Sequence, residues 1–256
     1  MLSDEEIEQC LNEHESFVDL YINPWVHICC DKLMESPNHW AESIFHGDRG
    51  PSSLMNAVGY LRPNRNLFFN AIGKARKFGN CLEIGVADGQ NSKRIFHSLN
   101  PEKLWLIDPW VTQDNRGADR GKLQREHTQA ERAARNRLKP LVDSGRVEIM
   151  KAFAKDKADD FPDEFFDFIY IDGDHSYEGC KEDLYAWYPK LKPNGMFAGH
   201  DFTNTMRSMK EKKFGVQKAA TEFLIDVGRK IDIMTPCVET RYPYMLLPFD
   251  WGFIKR

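Results

Sequence analysis

The sequence predicts an α/β protein: a mostly parallel, doubly wound sheet with helices on both faces, ending in an antiparallel hairpin and preceded by a helical extension. Three observations carry this. From about residue 80 onward, short, nearly continuous apolar runs alternate with amphipathic helical stretches, as in parallel strands buried on both faces. The last two strand-like runs, 230–234 and 244–254, have no helical pattern between them, so one must run antiparallel to the other. Residues 1–65 carry helical spacing and then turn-rich stretches such as HGDRGPSS, and read as an extension packed on a single domain spanning 66–256.

The elements follow in order. CLEIGV (81–86) is the first strand and QNSKRIFHSL (90–99) a helix. KLWLID (103–108) is the second strand, followed by a long polar stretch, and RVEIM (146–150) is the third. FFDFIYID (165–172) is the fourth strand, YEGCKEDLYAWYPKL (177–191) has apolar residues at helical spacing, and GMFAGHD (195–201) is the fifth strand. VQKAATEFLIDVG (216–228) reads as another helix before the closing pair.

Composition narrows the function classes. The 256 residues are 41% hydrophobic and 29% charged, with a formal net charge of −4. That is the balance of a globular chain long enough to bury a sizeable core. Without a basic excess, nucleic acid as an obligatory partner loses its main support. Mean hydropathy is −0.57, and no apolar run approaches the roughly 20 residues of a membrane span. The acidic start MLSDEEIEQC lacks the order of a signal peptide, so a cytoplasmic protein is expected. The six cysteines form no C-x-x-C pair, and neither a disulfide framework nor a zinc site is indicated.

Chemistry-bearing residues gather at the predicted strand ends. Glu83-Ile84-Gly85-Val86-Ala87-Asp88-Gly89 ends the first strand and opens a helix. Glycines there let the backbone approach a ligand, and the helix start offers free N–H groups. The run is neither G-x-x-x-x-G-K-[ST] nor G-x-G-x-x-G, which removes a Walker loop and weakens a dinucleotide reading. Asp108 ends the second strand, where acidic residues commonly accept ribose hydroxyls. Asp172, Asp174 and His175 cluster where the fourth strand ends, and His200-Asp201 ends the fifth. Neighbouring strands lie about 4.8 Å apart, so Asp172, His200 and Asp201 can converge on one ion. Carboxylates and waters suit Mg²⁺, and a histidine pulls toward Mn²⁺ or Zn²⁺.

The order EIGVADG, LIDPW, FIYIDGDHSYEG, LKPNGMFAGHDF, GVQKAATEF resembles the class I S-adenosylmethionine-dependent methyltransferases over about residues 78–254. More narrowly it resembles their small-molecule and sugar O-methyltransferase branch. The resemblance implies a Rossmann-like, seven-stranded sheet and S-adenosyl-L-methionine as cofactor. It implies that Glu83, Gly85, Ala87, Asp88, Gly89 and Asn91 line the cofactor pocket, with the helix start near 88–91 facing the methionine part. Asp108 would hold the ribose, the turn containing Phe153 and Ala154 would flank adenine, and Asp172 would touch the same pocket. Metal-dependent relatives place an Asp at the end of strand four, matched by Asp172, and an acidic or Asp-Asn pair ending strand five. Here His200-Asp201 stands in that second place, a departure in the set Asp172, His200 and Asp201 assigned to Mg or Mn. The sugar enzymes space a histidine three residues after the strand-four Asp, which is His175, as general base beside catalytic Asp172. A histidine's ordinary pKa of about 6.5 suits proton removal near neutrality.

The expected activity is methyl transfer to a hydroxyl of a small molecule or sugar, with a hydroxylated small molecule as partner. N-methylation, a non-catalytic cofactor-binding scaffold and, last, a nicotinamide-dependent oxidoreductase are the alternatives. The basic insert 110–139 reads most simply as a solvated helix face, and more sharply as a lid over an anionic or sugar substrate. Apolar residues of the extension, such as Phe17, Tyr21 and Trp25, need burial, which a substrate cap or a homo-oligomer surface provides.

Overall fold

A computed structural model describes residues 68–70, 72–73, 76–112, 123–202, 215–236 and 249–256. The expected helical extension at 1–65 and residues 113–122 of the basic insert lie outside the described residues.

Seven strands are described: β1 Asn80–Ile84, β2 Lys103–Ile107, β3 Val147–Met150, β4 Phe166–Ile171, β5 Leu191–Gly199, β6 Ile233–Pro236 and β7 Phe249–Ile254. Four α-helices connect them: α1 Gln90–Leu99, α2 Gln124–Asp143, α3 Tyr177–Trp187 and α4 Val216–Asp226. A 3₁₀ turn covers Ala154–Asp160. The strands form one sheet in the order β3-β2-β1-β4-β5-β7-β6. β1 to β5 pair in parallel, and β7 is antiparallel to both β5 and β6. The closing pair thus folds β7 back between β5 and β6. Strand order reverses between β1 and β4, and crevices outside the carboxyl ends of strands open at such a switch point.

Alternation along the strands builds two cores. Leu82, Ile84, Ile169, Ile171 and Phe197 face α3 and α4, meeting Leu184, Trp187, Phe223 and Leu224. The intervening residues Cys81, Phe168, Tyr170 and Ala198 face α1 and α2, with Ile95, Leu99, Ala134 and Leu138. Phe68 and Phe69 close this second core, Phe69 lying edge-on to Tyr170 at 5.2 Å between ring centroids. Burial on both faces is why these strands read as apolar runs rather than as alternating ones.

Several elements differ from the expected spans: α3 ends at Trp187 rather than 191, and β6 covers Ile233–Pro236 rather than 230–234. β5 begins at Leu191 rather than Gly195, with a register shift against β4 between the Leu191 and Met196 pairings. Pro193 and Asn194, the latter at φ 61°, sit in that irregular stretch, where a missing N–H costs no ladder bond. The polar stretch after β2 contains the 20-residue α2, which buries only Ala134 and Leu138. Glu126 Oε2 accepts from Leu123 N at 2.7 Å at its start. Gln124 ties that start to the β2 end, donating to Trp110 O and accepting from Thr112 N, both at 3.0 Å.

Candidate active site

The site grows from the turn after β1. Gly85 has φ 85°, and a Cβ there would overlap the carbonyl group of Asp172, so only glycine lets this turn lie against the end of β4. Val86 N and Ala87 N both donate to Asp108 Oδ2 at 2.9 Å, and Trp110 N donates to Asp108 Oδ1 at 2.7 Å. Trp110 Nε1 returns a bond to Ala87 O at 2.8 Å. The carboxylate therefore holds Ala87 at φ 49°, a conformation a non-glycine residue adopts at a cost. Burial raises the Asp108 carboxyl above its ordinary value, against the three backbone donors and His127, which lower it.

A cavity of about 750 Å³ opens above this turn. Gly85, Ala87, Asp88, Asp108, Phe153 and Ala154 line it, as do Asp172 and His175. Phe153 is 43% exposed, an apolar face open to a flat ligand. Burial raises the Asp88 carboxyl, but bonds from Gln90 and the Arg137 guanidinium at 3.2 Å outweigh it, leaving the carboxyl below its ordinary value.

Three residues expected in the cofactor pocket do other work. Glu83 is fully buried and accepts from Asn91 Nδ2 at 2.9 Å and from Ser92 Oγ. Glu83 and Asn91 thus pin α1 to β1 instead of lining the cavity. A carboxylate buried on the helix-facing side of a strand needs donors, and α1 supplies them. Gly89 caps α1 at φ 75°, and a Cβ there would stand 3.1 Å from Ala134 Cα, so this glycine serves the packing of α1 on α2.

The strand-four and strand-five ends do converge. His175 Nε2 is 2.9 Å from Asp201 Oδ2 and 3.5 Å from Asp172 Oδ1. His200 Nδ1 lies 3.1 Å from Asp201 Oδ1 and 3.6 Å from Asp172 Oδ1. Burial raises the Asp201 carboxyl, yet the two histidines more than offset it and hold the group well below the usual carboxylate range. Among the described residues, the set whose candidate ligand atoms lie within 4.8 Å of one another is Asp172, His175 and Asp201. His175 thus joins Asp172 and Asp201 in this set, and His200, 4% exposed, lies against the same two carboxylates. The reason is the turn after β4. Asp174 Oδ1 accepts from Ser176 N at 2.8 Å, and Ser176 Oγ caps α3 by accepting from Gly179 N at 3.1 Å. These bonds fold His175 back over the strand ends.

Sequence reasoning missed part of the wall. Glu126, His127 and Ala130 reach the cavity from α2, and Lys155, Glu182 and Asp183 from the 3₁₀ turn and α3. The polar spacing of the 110–139 insert was the available signal for α2; nothing in the sequence distinguished Asp183 from a surface carboxylate.

Residues 82–202 match the model of a family described as a methyltransferase domain. No curated protein sequence matches the chain. Among solved structures, the chain is similar to a putative caffeoyl-CoA O-methyltransferase from Staphylococcus aureus, with 14% identity, TM-score 0.52, and coverage of 85% of this chain and 98% of that one. It is also similar to the N-methyltransferase NodS from Bradyrhizobium japonicum WM9 in complex with S-adenosyl-L-homocysteine, with 15% identity, TM-score 0.53, and coverage of 85% and 97%. Spermidine synthase from Thermotoga maritima shares 18% identity over 70% of this chain, with TM-score 0.48, and the chain spans 54% of its length. Residues 82–202, a little under half of the chain, are thus similar to a methyltransferase domain, and they span most of the parallel part of the sheet. An O-methyltransferase and an N-methyltransferase are both similar to the chain in fold.

Proposed function

We propose that the chain is an S-adenosylmethionine-dependent O-methyltransferase acting on a hydroxyl of a small polyhydroxylated molecule or sugar, with His175 as general base. The observation that supports this reading is His175 Nε2 beside Asp201 and Asp172 on the wall of the cavity that Gly85, Asp108 and Phe153 also line.

S-adenosylmethionine, when bound, supplies a methyl already activated by its sulfonium. The chain's residues then have to align an oxygen with that carbon and remove one proton. The His175 imidazole would take the acceptor O–H proton as the oxygen bonds to the methyl carbon, leaving the cofactor's sulfur as a neutral thioether. The flanking carboxylates of Asp201 and Asp172 stabilise the resulting imidazolium. Asp108 serves the ribose, and Phe153 and Ala154 the adenine.

The donor set also fits a divalent cation. Two carboxylates and an imidazole with ligand atoms within 4.8 Å suit Mg²⁺ or Mn²⁺, held by Asp172, His175 and Asp201, with His200 beside them. Such an ion would lower the pKa of a hydroxyl chelated to it. The two roles of His175 exclude each other, because a nitrogen that binds a cation has no lone pair left for a proton.

The partner is a small molecule rather than nucleic acid or a membrane, in a cytoplasmic setting, with residues 1–65 as a cap or homo-oligomer surface. No helix among the described residues is long and apolar enough to cross a membrane. The test is turnover of the full chain with S-adenosylmethionine and panels of sugars, polyols, catechols and amines, followed by S-adenosylhomocysteine release with EDTA or with Mn²⁺. Turnover confined to hydroxyl acceptors supports the reading. Turnover confined to amines replaces it with N-methylation, and none with any acceptor favours a scaffold.

A further inference from the structure

One buried carboxyl on the cavity wall is left unused by this chemistry. Asp183, on α3, lines the cavity and is only 7% exposed. Among the described residues it makes no hydrogen bond and no ion pair. Its neighbours worsen its position: Asp174 and Glu182 repel its charge, and Lys155, the nearby cation, is paired with Glu182 at 3.0 Å. Gly173 leaves it room, since a Cβ there would stand 3.1 Å from Asp183 Oδ2. Burial, then these like charges, push the carboxyl up to about 7. A carboxyl kept in such surroundings calls for a donor from a ligand.

The position selects the donor. α3 packs on the 3₁₀ turn that begins at Ala154, and the Lys155–Glu182 pair bridges the two. The same end of the cavity thus presents an apolar face, Phe153 and Ala154, beside one unpaired acceptor. In the cofactor reading above, the ribose hydroxyls go to Asp108 and the methionine part to the start of α1. The remaining strong donor of the nucleoside is the 6-amino group of adenine.

We infer that Asp183 is a specificity-determining residue for the nucleobase, its carboxyl oxygen accepting from the 6-amino group while Phe153 and Ala154 lie against the ring. This rests on the S-adenosylmethionine reading of the pocket, and the test separates the two. The full chain is titrated calorimetrically with S-adenosylhomocysteine and with its 6-desamino analogue, in which purine riboside replaces adenosine. The wild type is expected to bind S-adenosylhomocysteine about tenfold or more tightly than the analogue. Asp183→Leu is expected to bind the two within about twofold of each other, and Asp183→Asn, which keeps an acceptor oxygen, to retain part of the preference. A wild type that does not distinguish the ligands, or an Asp183→Leu variant with the full preference, overturns the assignment while leaving the cofactor reading intact. If Asp183→Leu fails to fold, the wild-type ratio and Asp183→Asn decide: a preference reduced in Asp183→Asn supports the assignment, and the full wild-type preference in Asp183→Asn overturns it. No binding of S-adenosylhomocysteine by the wild type overturns the cofactor reading and the assignment with it.

Discussion

The turn at Gly85 rests directly on the backbone of Asp172: any Cβ at Gly85 would overlap that residue's carbonyl group. The end of β1, which lines one side of the cavity, is thereby fixed against the end of β4, which carries the acidic and imidazole groups. Gly85→Ala faces both this overlap and a φ of 85°. It is expected to lower stability by at least about 2 kcal/mol and to abolish S-adenosylhomocysteine binding. Denaturant midpoints and titration check both.

Asp108 fixes the same turn from the β2 side through bonds to Val86 N, Ala87 N and Trp110 N. Asp108→Asn keeps the shape but offers one acceptor atom where two are used, turning an amide NH₂ toward an N–H. Affinity for S-adenosylhomocysteine is expected to fall about ten- to a hundredfold, with a lower melting temperature. An unchanged affinity removes Asp108 from the ribose site and from the clamp.

His175→Ala separates binding from chemistry. The imidazole faces Asp201 and Asp172, and the groups assigned to the nucleoside lie elsewhere on the wall. Turnover is expected to drop by about a hundredfold or more while S-adenosylhomocysteine affinity changes little. Single-turnover rates beside equilibrium titration make the comparison; unchanged turnover removes the assigned role.

Asp183 also predicts a pH dependence of stability. Its folded value of about 7 lies above the ordinary 3.8, so between these pH values the folded chain holds a proton that the unfolded chain has released. Stability therefore declines as pH rises through that window, and the loss is complete above about pH 7. Asp183→Asn removes the charge. Its stabilising effect is expected to be larger at pH 8 than at pH 5, by on the order of 2 kcal/mol. Melting curves of the ligand-free variant and wild type at the two pH values measure it.

The parallel sheet was legible because burial on both faces writes each strand as an apolar run, and the lack of a helical pattern before β7 marked the antiparallel return. Asp108 and Asp172 were legible as site candidates because a strand end fixes where its last carboxylate lies. What a side chain does after the strand ends was not. Glu83 opens the glycine motif and Asn91 follows it, yet Asn91 Nδ2 and Ser92 Oγ both donate to Glu83 inside the core. His175 and His200 both follow a strand, and only the bonds of the turn at 174–179 bring His175 into the ligand set. Asp183 lies within a helix whose spacing marked it simply as polar, and its burial depends on the 3₁₀ turn packed against α3.

The most direct test of the central claim is calorimetric titration of the full chain with S-adenosylhomocysteine, first with EDTA and then with Mn²⁺ or Mg²⁺. The account predicts saturable binding of about micromolar strength in EDTA, since Gly85, Asp108 and Phe153 need no ion. A further heat on adding the cation, lost in Asp172→Asn, assigns the carboxylate–imidazole set to metal and takes the base role from His175. The absence of binding under every condition contradicts the account.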